Sequence, residues 1–251
     1  MRLDVTIPTS WAEIPSAKLV QVARLFDAAI TRPAFLVKAF FLLSGLRPLF
    51  KTPVGHHYYI SLPGRRRPVA IDRSALTEAA NRCEFLLQPV NDLQCPLFSG
   101  FDKYLAPKQR LYNLTVEQFL YAELAAAAYE KSKDQAFLHK LMAALWIPKA
   151  GFQPQEIDRH AKRFARLDPA VHLAAHLFYT GARRYLAGEF PHVFQPGGDD
   201  HGDYDVTSML RELNGGDITR NPRILESQLW DALKQLEDMG MQVEMIKNRK
   251  K

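Results

Sequence analysis

Four consecutive amphipathic helices are predicted between Leu114 and Leu186, and this stretch constrains the fold more than any other. Thr115 is a suitable N-cap, and Gln118 three residues later completes a capping box. The other three helices are predicted from near Asp134 to Trp146, from about Pro154 to Leu167, and from the Asp168-Pro169 pair to about Leu186. Because helices with short links pack as neighbours, the stretch predicts a small bundle.

The apolar positions of these helices predict which side chains form the core of the bundle. In the first helix, the residues at nearly helical spacing are Val116, Phe119, Leu120, Glu123, Leu124 and Ala127. In the second, a 3–4 stripe runs through Leu138, Leu141, Met142, Leu145 and Trp146 before Pro148. The stripe predicts that Trp146 is a core residue.

The segment before the bundle predicts a mixture of helices and short strands. Leu3, Val5 and Ile7 alternate with polar residues, which is typical of a strand. Helices are predicted from Ser16 and from Pro33, with Gly45 as the C′ residue of the second. Residues 57–62 and 68–71 predict a hairpin, and the first strand is a candidate third member of its sheet. A further helix is predicted from Asp72 or Ser74 to Leu87.

The segment after the bundle predicts a glycine-rich loop and two helices. One helix spans Asp205 to Leu213, and Gly215-Gly216 stops it. The last helix begins at Asn221-Pro222 and is predicted to end at Gly240. The fold class is therefore mostly α, of the α+β type, with five parts. These are an N-terminal α+β part (1–88), an irregular connector (89–113), the helical bundle (114–194), a flexible loop (195–203) and a helical appendage with a basic tail (204–251).

The charge and hydropathy of the chain argue against two classes of protein. The net charge is +6, but the tail at 247–251 carries four of those charges and leaves +2 for the rest, which weakens a nucleic-acid interpretation. The Arg65-Arg66-Arg67 cluster and the tail keep that alternative open, because such clusters attract phosphates. No apolar run approaches the roughly 20 residues of a membrane span, and the N-terminus lacks a signal-peptide pattern. We therefore expect no membrane partner.

The candidate sites for metal binding or catalysis are weak in the sequence. The loop at 199–205 contains Asp199, Asp200, His201, Asp203 and Asp205, whose side chains can ligate a divalent ion. The spacing fits no EF-hand, so a solvated hinge is the preferred interpretation. His56 and His57 would point to opposite faces of a strand, and Cys83 and Cys95 have no CxxC partner. Because nucleophile-elbow, Walker and Rossmann patterns are also missing, we expect no catalytic, cofactor-binding or metal site.

The order of segments resembles small tail-module proteins of tailed bacteriophages, often described as tail assembly chaperones. The similar features are an extended start before Trp11, the Leu43-Ser44-Gly45-Leu46 phrase, the segment 114–123, the segment 138–148, and the segment 209–218 before a closing helix and basic tail. The pattern spans most of the chain, although the aspartate loop and Arg65–Arg67 are not part of it.

The resemblance implies a non-enzymatic structural or tail-assembly protein that acts through protein–protein contacts. Its expected partners are other phage structural proteins, of the tail tube or tape-measure type, and homo-oligomers are a further expectation. The expected location is the host cytoplasm during assembly, or the virion. The alternatives are a connector or adaptor of the virion, and a nucleic-acid-binding protein that uses Arg65–Arg67 and the tail.

Overall fold

The structure is a computed structural model that describes residues 5–28, 30–52, 57–62, 66–93, 104–194 and 206–249. Within these residues the chain is mostly α-helical with a small antiparallel sheet, which confirms the predicted fold class. The helices are α1 (Ser16–Asp27), α2 (Arg32–Ser44), α3 (Arg73–Asn81), α4 (Val116–Ser132), α5 (Gln135–Leu145), α6 (Ile157–Phe164), α7 (Pro169–Glu189), α8 (Val206–Asn214), α9 (Asn221–Glu226) and α10 (Leu229–Arg249). The strands are β1 (Arg47–Lys51), β2 (His57–Ser61), β3 (Val69–Asp72), β4 (Tyr104–Leu105) and β5 (Ile147–Pro148).

Three helices of the predicted bundle begin where their capping residues predict. Thr115 and Gln118 form the reciprocal capping box of α4, in which the Gln118 side chain accepts the Thr115 N–H at 2.8 Å. Asp134 caps α5, and Asp168 caps α7 by accepting the Ala170 N–H at 2.9 Å. These caps satisfy backbone donors that a helix start leaves without partners, so local chemistry alone locates three helix starts.

The three-stranded sheet differs from the predicted one in its third strand. Residues 5–8 form no strand, and β1 pairs instead with β2, from Arg47 opposite Ser61 to Lys51 opposite Tyr58. β1 was not predicted because all five of its residues are exposed and it includes Pro48, so it lacks the alternation of a half-buried strand. Gly45 ends α2 at a φ of 72°, as predicted, and thereby turns the chain into β1.

Helix ends in three other places differ from the sequence-based prediction. α3 ends at Asn81, and a separate 3₁₀ turn covers Glu84–Leu87. α6 begins after a 3₁₀ turn and ends at Phe164, three residues before the predicted end. The last helix is two helices, because α9 and α10 separate at Ser227-Gln228.

The break between α9 and α10 is fixed by pairing with the start of α4. The Val116 N–H donates to the Ser227 carbonyl at 3.0 Å, and the Leu229 N–H donates to the Leu114 carbonyl at 2.9 Å. In a continuous helix, the Ser227 carbonyl and the Leu229 N–H would form hydrogen bonds within the helix. Here both are bonded to the start of α4 instead. A prediction from local periodicity cannot anticipate them.

The buried apolar side chains form one cluster that extends from Ile7 to Leu236. α5 packs against α4, α6 and α7, and α1 packs along α7. Arg24 of α1 forms an ion pair with Asp168 at the start of α7. The connector is tied to α7 as well, since Arg110 forms a bidentate contact with Asp92 and lies 4.0 Å from the ring centroid of Tyr185.

Trp146 lies in this cluster, and its side chain has no exposed surface. We predict that Trp146→Ala lowers the free energy of unfolding by roughly 3–5 kcal/mol, because it empties a site shaped for a large aromatic ring. The measurement is chemical denaturation, with the partly exposed Leu87→Ala as a control that should cost much less. A Trp146→Ala protein of unchanged stability would contradict the core assignment.

Candidate functional site

An open apolar groove lies on the helical bundle between α4, α5 and the start of α6. Its volume is about 290 Å³. The lining side chains are Tyr121, Leu124 and Ala125 from α4, Phe137 and Lys140 from α5, and Pro154, Ile157 and Asp158 from the α6 segment. Leu124, in the middle of α4, is 63% exposed.

The groove has aromatic walls and one ion pair at its edge. Tyr121 makes an edge contact with Phe152, with 5.9 Å between the ring centroids. Lys140 Nζ lies 3.0 Å from Asp158 Oδ1, and both side chains remain substantially exposed. An apolar floor with polar groups at the rim is the composition of a protein-binding surface, because apolar burial supplies affinity and polar groups set orientation.

The sequence predicted Leu124 and Ala127 on the same stripe as the buried residues of α4, and this was wrong. Val116 and Phe119 of that stripe are buried, but the buried face continues through Ala122 and Ala126, while Leu124 and Ala127 are exposed. The four-alanine run at 125–128 makes α4 apolar on most sides, so periodicity does not decide which side is covered. The groove is therefore a feature that only the packing of α5 and α6 reveals.

Glu123, which lies at the helical spacing predicted for α4, is buried in the bundle, and the reason is not visible in the sequence. Its carboxylate accepts hydrogen bonds from the Tyr179 hydroxyl and from Arg183 Nε, with Nε–oxygen distances of 2.8 and 2.9 Å. Burial and the neighbouring carboxylate raise the pKa of Tyr179 well above its ordinary value. Tyr179 therefore remains a hydrogen-bond donor that links α7 to α4.

A second pocket, of about 340 Å³ and lined by several charged side chains, lies where the β4–β5 pair meets α6. The Tyr104 hydroxyl lies 2.6 Å from His160 Nδ1, and His160 Nε2 lies 3.4 Å from Glu156 Oε2. Arg159 pairs with Glu156, and Arg163 also lines the pocket. If Tyr104 donates to Nδ1, the imidazole carries its proton on Nε2, towards the carboxylate. This chain of contacts fastens the strand pair to α6.

The sequence contains little signal for this pocket, because its members come from distant segments. Tyr104 lies in the predicted irregular connector, yet Tyr104–Leu105 pairs with Ile147–Pro148. Glu156 and His160 are spaced by four residues on the α6 segment, which is the only local hint.

Most of the sequence-predicted site residues are exposed or lie outside the described residues. The whole aspartate loop, with Asp199, Asp200, His201, Asp203 and Asp205, lies outside them, as do His56, Arg65 and Cys95. His57 is exposed on β2, and Arg66 and Arg67 are exposed before β3. Cys83 is buried, and burial raises the pKa of its thiol to about 11, so the thiol stays protonated.

The described part of the chain contains neither a metal-type cluster nor a membrane-type helix. Within these residues, no group of three or more His, Cys, Asp or Glu side chains has a geometry suited to a metal ion. None of the described helices is long and apolar enough to cross a membrane. The basic residues Lys247 and Arg249 lie on the exposed end of α10.

Four histidines are packed into the bundle, and one lies at its edge. Burial lowers the pKa of His139, His160, His172 and His176 below the ordinary value of 6.5. His172 Nε2 donates to the Phe164 carbonyl at 2.9 Å, and its ring packs edge-on against His139 with centroids 4.5 Å apart. His192 is different, because hydrogen bonds to Glu237 and Glu244 raise its pKa.

We predict that the free energy of unfolding falls as the pH is lowered from 7 to 5. The unfolded chain binds protons at ordinary histidine pKa values near 6.5. In the folded chain the pKa values of His139, His160, His172 and His176 are lowered, so stability is lost as the pH falls below 6.5. The contribution of His192 has the opposite sign and is lost as the pH rises through its raised pKa. Chemical denaturation at each pH should show that the free energy of unfolding varies less with pH in His172→Gln than in His57→Gln, the control at an exposed histidine. The same change of unfolding free energy with pH in both variants would contradict the lowered pKa of His172.

Comparison of the chain with protein-family models, with curated proteins and with solved structures finds no match. The function therefore has to be inferred from the surfaces that the fold leaves open.

Proposed function

We propose that this chain is a non-enzymatic structural or assembly protein of a tailed bacteriophage, and that it acts by binding a protein partner. The observation that supports the proposal most is the groove beside Leu124, which leaves apolar side chains open on a bundle that is otherwise well packed. The order of segments, which resembles tail-module proteins, supplies the viral setting.

The partner that we assign to the groove is an amphipathic helix. Helices α4, α5 and α6 wall the groove, and its floor is apolar, which is the arrangement that accepts the apolar face of another helix. Among the proteins of a phage tail, the tape-measure type is the most suitable source of such a helix, because it is long and helical. The tube protein is the second candidate.

The pocket at His160 does not favour an enzymatic alternative. Its histidine is buried and its pKa is lowered, and its principal contact joins two structural elements. A general base also needs open access to a proton on a substrate, whereas His160 is only 6% exposed. The groove is thus the better basis for a function.

We predict that Leu124→Glu abolishes capture of the partner while leaving the fold intact. A carboxylate in the groove would have to be desolvated when an apolar helix binds, and the one cation among the lining residues, Lys140, is already paired with Asp158. The measurement is co-purification after co-expression with each protein encoded beside this chain. The matched control is Leu105→Glu on β4, where the leucine is 51% exposed but lies outside the groove.

Two results would contradict this proposal. Capture that survives Leu124→Glu would place the partner elsewhere on the chain. The nucleic-acid alternative would be favoured by micromolar binding to generic DNA at physiological salt that is lost on replacing Arg65, Arg66 and Arg67. Such binding should weaken about a thousandfold between 50 and 200 mM salt if the protein contacts about six phosphates.

A further inference from the structure

The first half of α10 is firmly attached to the body of the protein. Leu229, Leu233 and Leu236 are buried. Trp230 Nε1 donates a hydrogen bond to the Arg110 carbonyl at 2.9 Å. The direction in which α10 leaves the body is therefore set by its first two turns.

The second half of α10 extends beyond the body. Every residue from Met241 to Arg249 is exposed, although the sequence predicted that the helix would end at Gly240. Among the described residues, the side-chain contact that joins this exposed half to the rest of the protein is that of Glu244 with His192. The exposed half thus depends on one polar contact for its attachment.

His192 fits into a notch on the surface of α10. The notch is formed by Gly240, where an added Cβ would lie 2.6 Å from the His192 Cβ, so the helix continues past a glycine that serves close approach. Glu237 and Glu244 flank the notch, because they are separated by about two helical turns and share one face of α10. The His192 N–H donates to Glu237 Oε2 at 2.9 Å, so the backbone holds the residue in the notch independently of its ring.

Each ring nitrogen of His192 faces a carboxylate. Nδ1 is hydrogen-bonded to Glu237, and Nε2 lies 2.9 Å from Glu244 Oε2. An ionised carboxylate only accepts hydrogen bonds, and both nitrogens of imidazole are donors only when the ring is protonated. The geometry therefore requires a positively charged His192. The hydrogen bond to Glu237, followed by that to Glu244, also raises the pKa of His192 above the ordinary value of 6.5.

The charges that act most strongly on His192 come from α10. They are the carboxylates of Glu237 and Glu244. The charged residues at the end of α7, the helix that precedes His192, are bonded to other groups: Arg183, Arg184 and Glu189. The protonation of His192 is therefore governed by the same two carboxylates that it holds.

Loss of the proton removes one of the two ring contacts, and the two are not equivalent. The Glu237 side chain is 13% exposed and also accepts the backbone N–H of His192, whereas the Glu244 side chain is 62% exposed and contacts Nε2 alone. The single N–H of a neutral ring therefore stays on Nδ1, beside Glu237. Nε2 then presents a lone pair to the Glu244 carboxylate, and this contact breaks.

We propose that the proton on His192 Nε2 fastens the exposed half of α10 to the body of the protein, and that loss of this proton releases the helix beyond Gly240. The contact with Glu244 is present at low pH and is lost as the pH rises through the raised pKa of His192. Once it is lost, the last turns fray, because a helix end without tertiary packing is marginally stable. The device is separate from the groove at Leu124 and does not rest on the proposed function.

The test is nuclear magnetic resonance of the full chain from about pH 5.5 to 9, a range in which histidines titrate. The imidazole carbon shift reports the protonation of His192, and ¹⁵N relaxation gives the backbone order parameters of residues 241–245. We expect order parameters of about 0.85 while His192 is charged and below about 0.6 once it is neutral, with one midpoint for both signals. Residues 229–236 should keep the higher value throughout, because buried leucines hold them.

Two variants separate this contact from a general effect of pH. Glu244→Ala removes the carboxylate, so residues 241–245 should have the lower order parameters at every pH while His192 still titrates. Asp238→Ala is the matched control: Asp238 is an exposed acidic residue of the same helix that makes no bond to His192, so this variant should behave as the parent does. Thermal melting of each variant checks the fold.

Three results would overturn the proposal. The first is a segment 241–245 that stays ordered after His192 has lost its proton. The second is an equal loss of order in Glu244→Ala and Asp238→Ala. The third is a His192 whose protonation does not change between about pH 5.5 and 9, because the contact would then have no switch in that range.

Discussion

The burial of Glu123 between α4 and α7 is the constraint on which the bundle depends most. A carboxylate is costly to remove from water, so this one is tolerated only because Tyr179 and Arg183 donate to both of its oxygens. The three residues come from helices separated by 56–60 positions along the chain. Their hydrogen bonds are directional, so they fix how α7 is rotated and shifted against α4, which apolar packing alone would specify less sharply.

The other elements pack around that pair of helices. α5 packs against both α4 and α7, α1 lies along α7, and the start of α4 holds the α9–α10 junction by backbone hydrogen bonds. With α4 rotated so that Glu123 is inside, Leu124 is turned outwards and becomes part of the groove beside α5 and α6. The same buried contact that stabilises the bundle therefore determines which apolar side chain remains available to a partner.

The sequence predicted those parts of the fold that local chemistry controls. The capping residues Thr115, Asp134 and Asp168 located helix starts, and the stripe through Trp146 located core residues, because these signals act over a few positions. The groove could not be predicted, since it depends on the rotation of an alanine-rich helix. The extension of α10 past Gly240 was also missed, because a glycine that permits close approach to His192 looks the same in sequence as one that ends a helix.

The central claim is that the groove at Leu124 binds a helix of a protein partner. Incorporation of a photo-crosslinking phenylalanine analogue at position 124, in cells that also make the proteins encoded beside this chain, tests it directly. We expect a crosslinked product at position 124 whose partner peptide is an amphipathic helix, and none at position 105, which is comparably exposed but outside the groove. Equal crosslinking at both positions, or products at 105 alone, would contradict it.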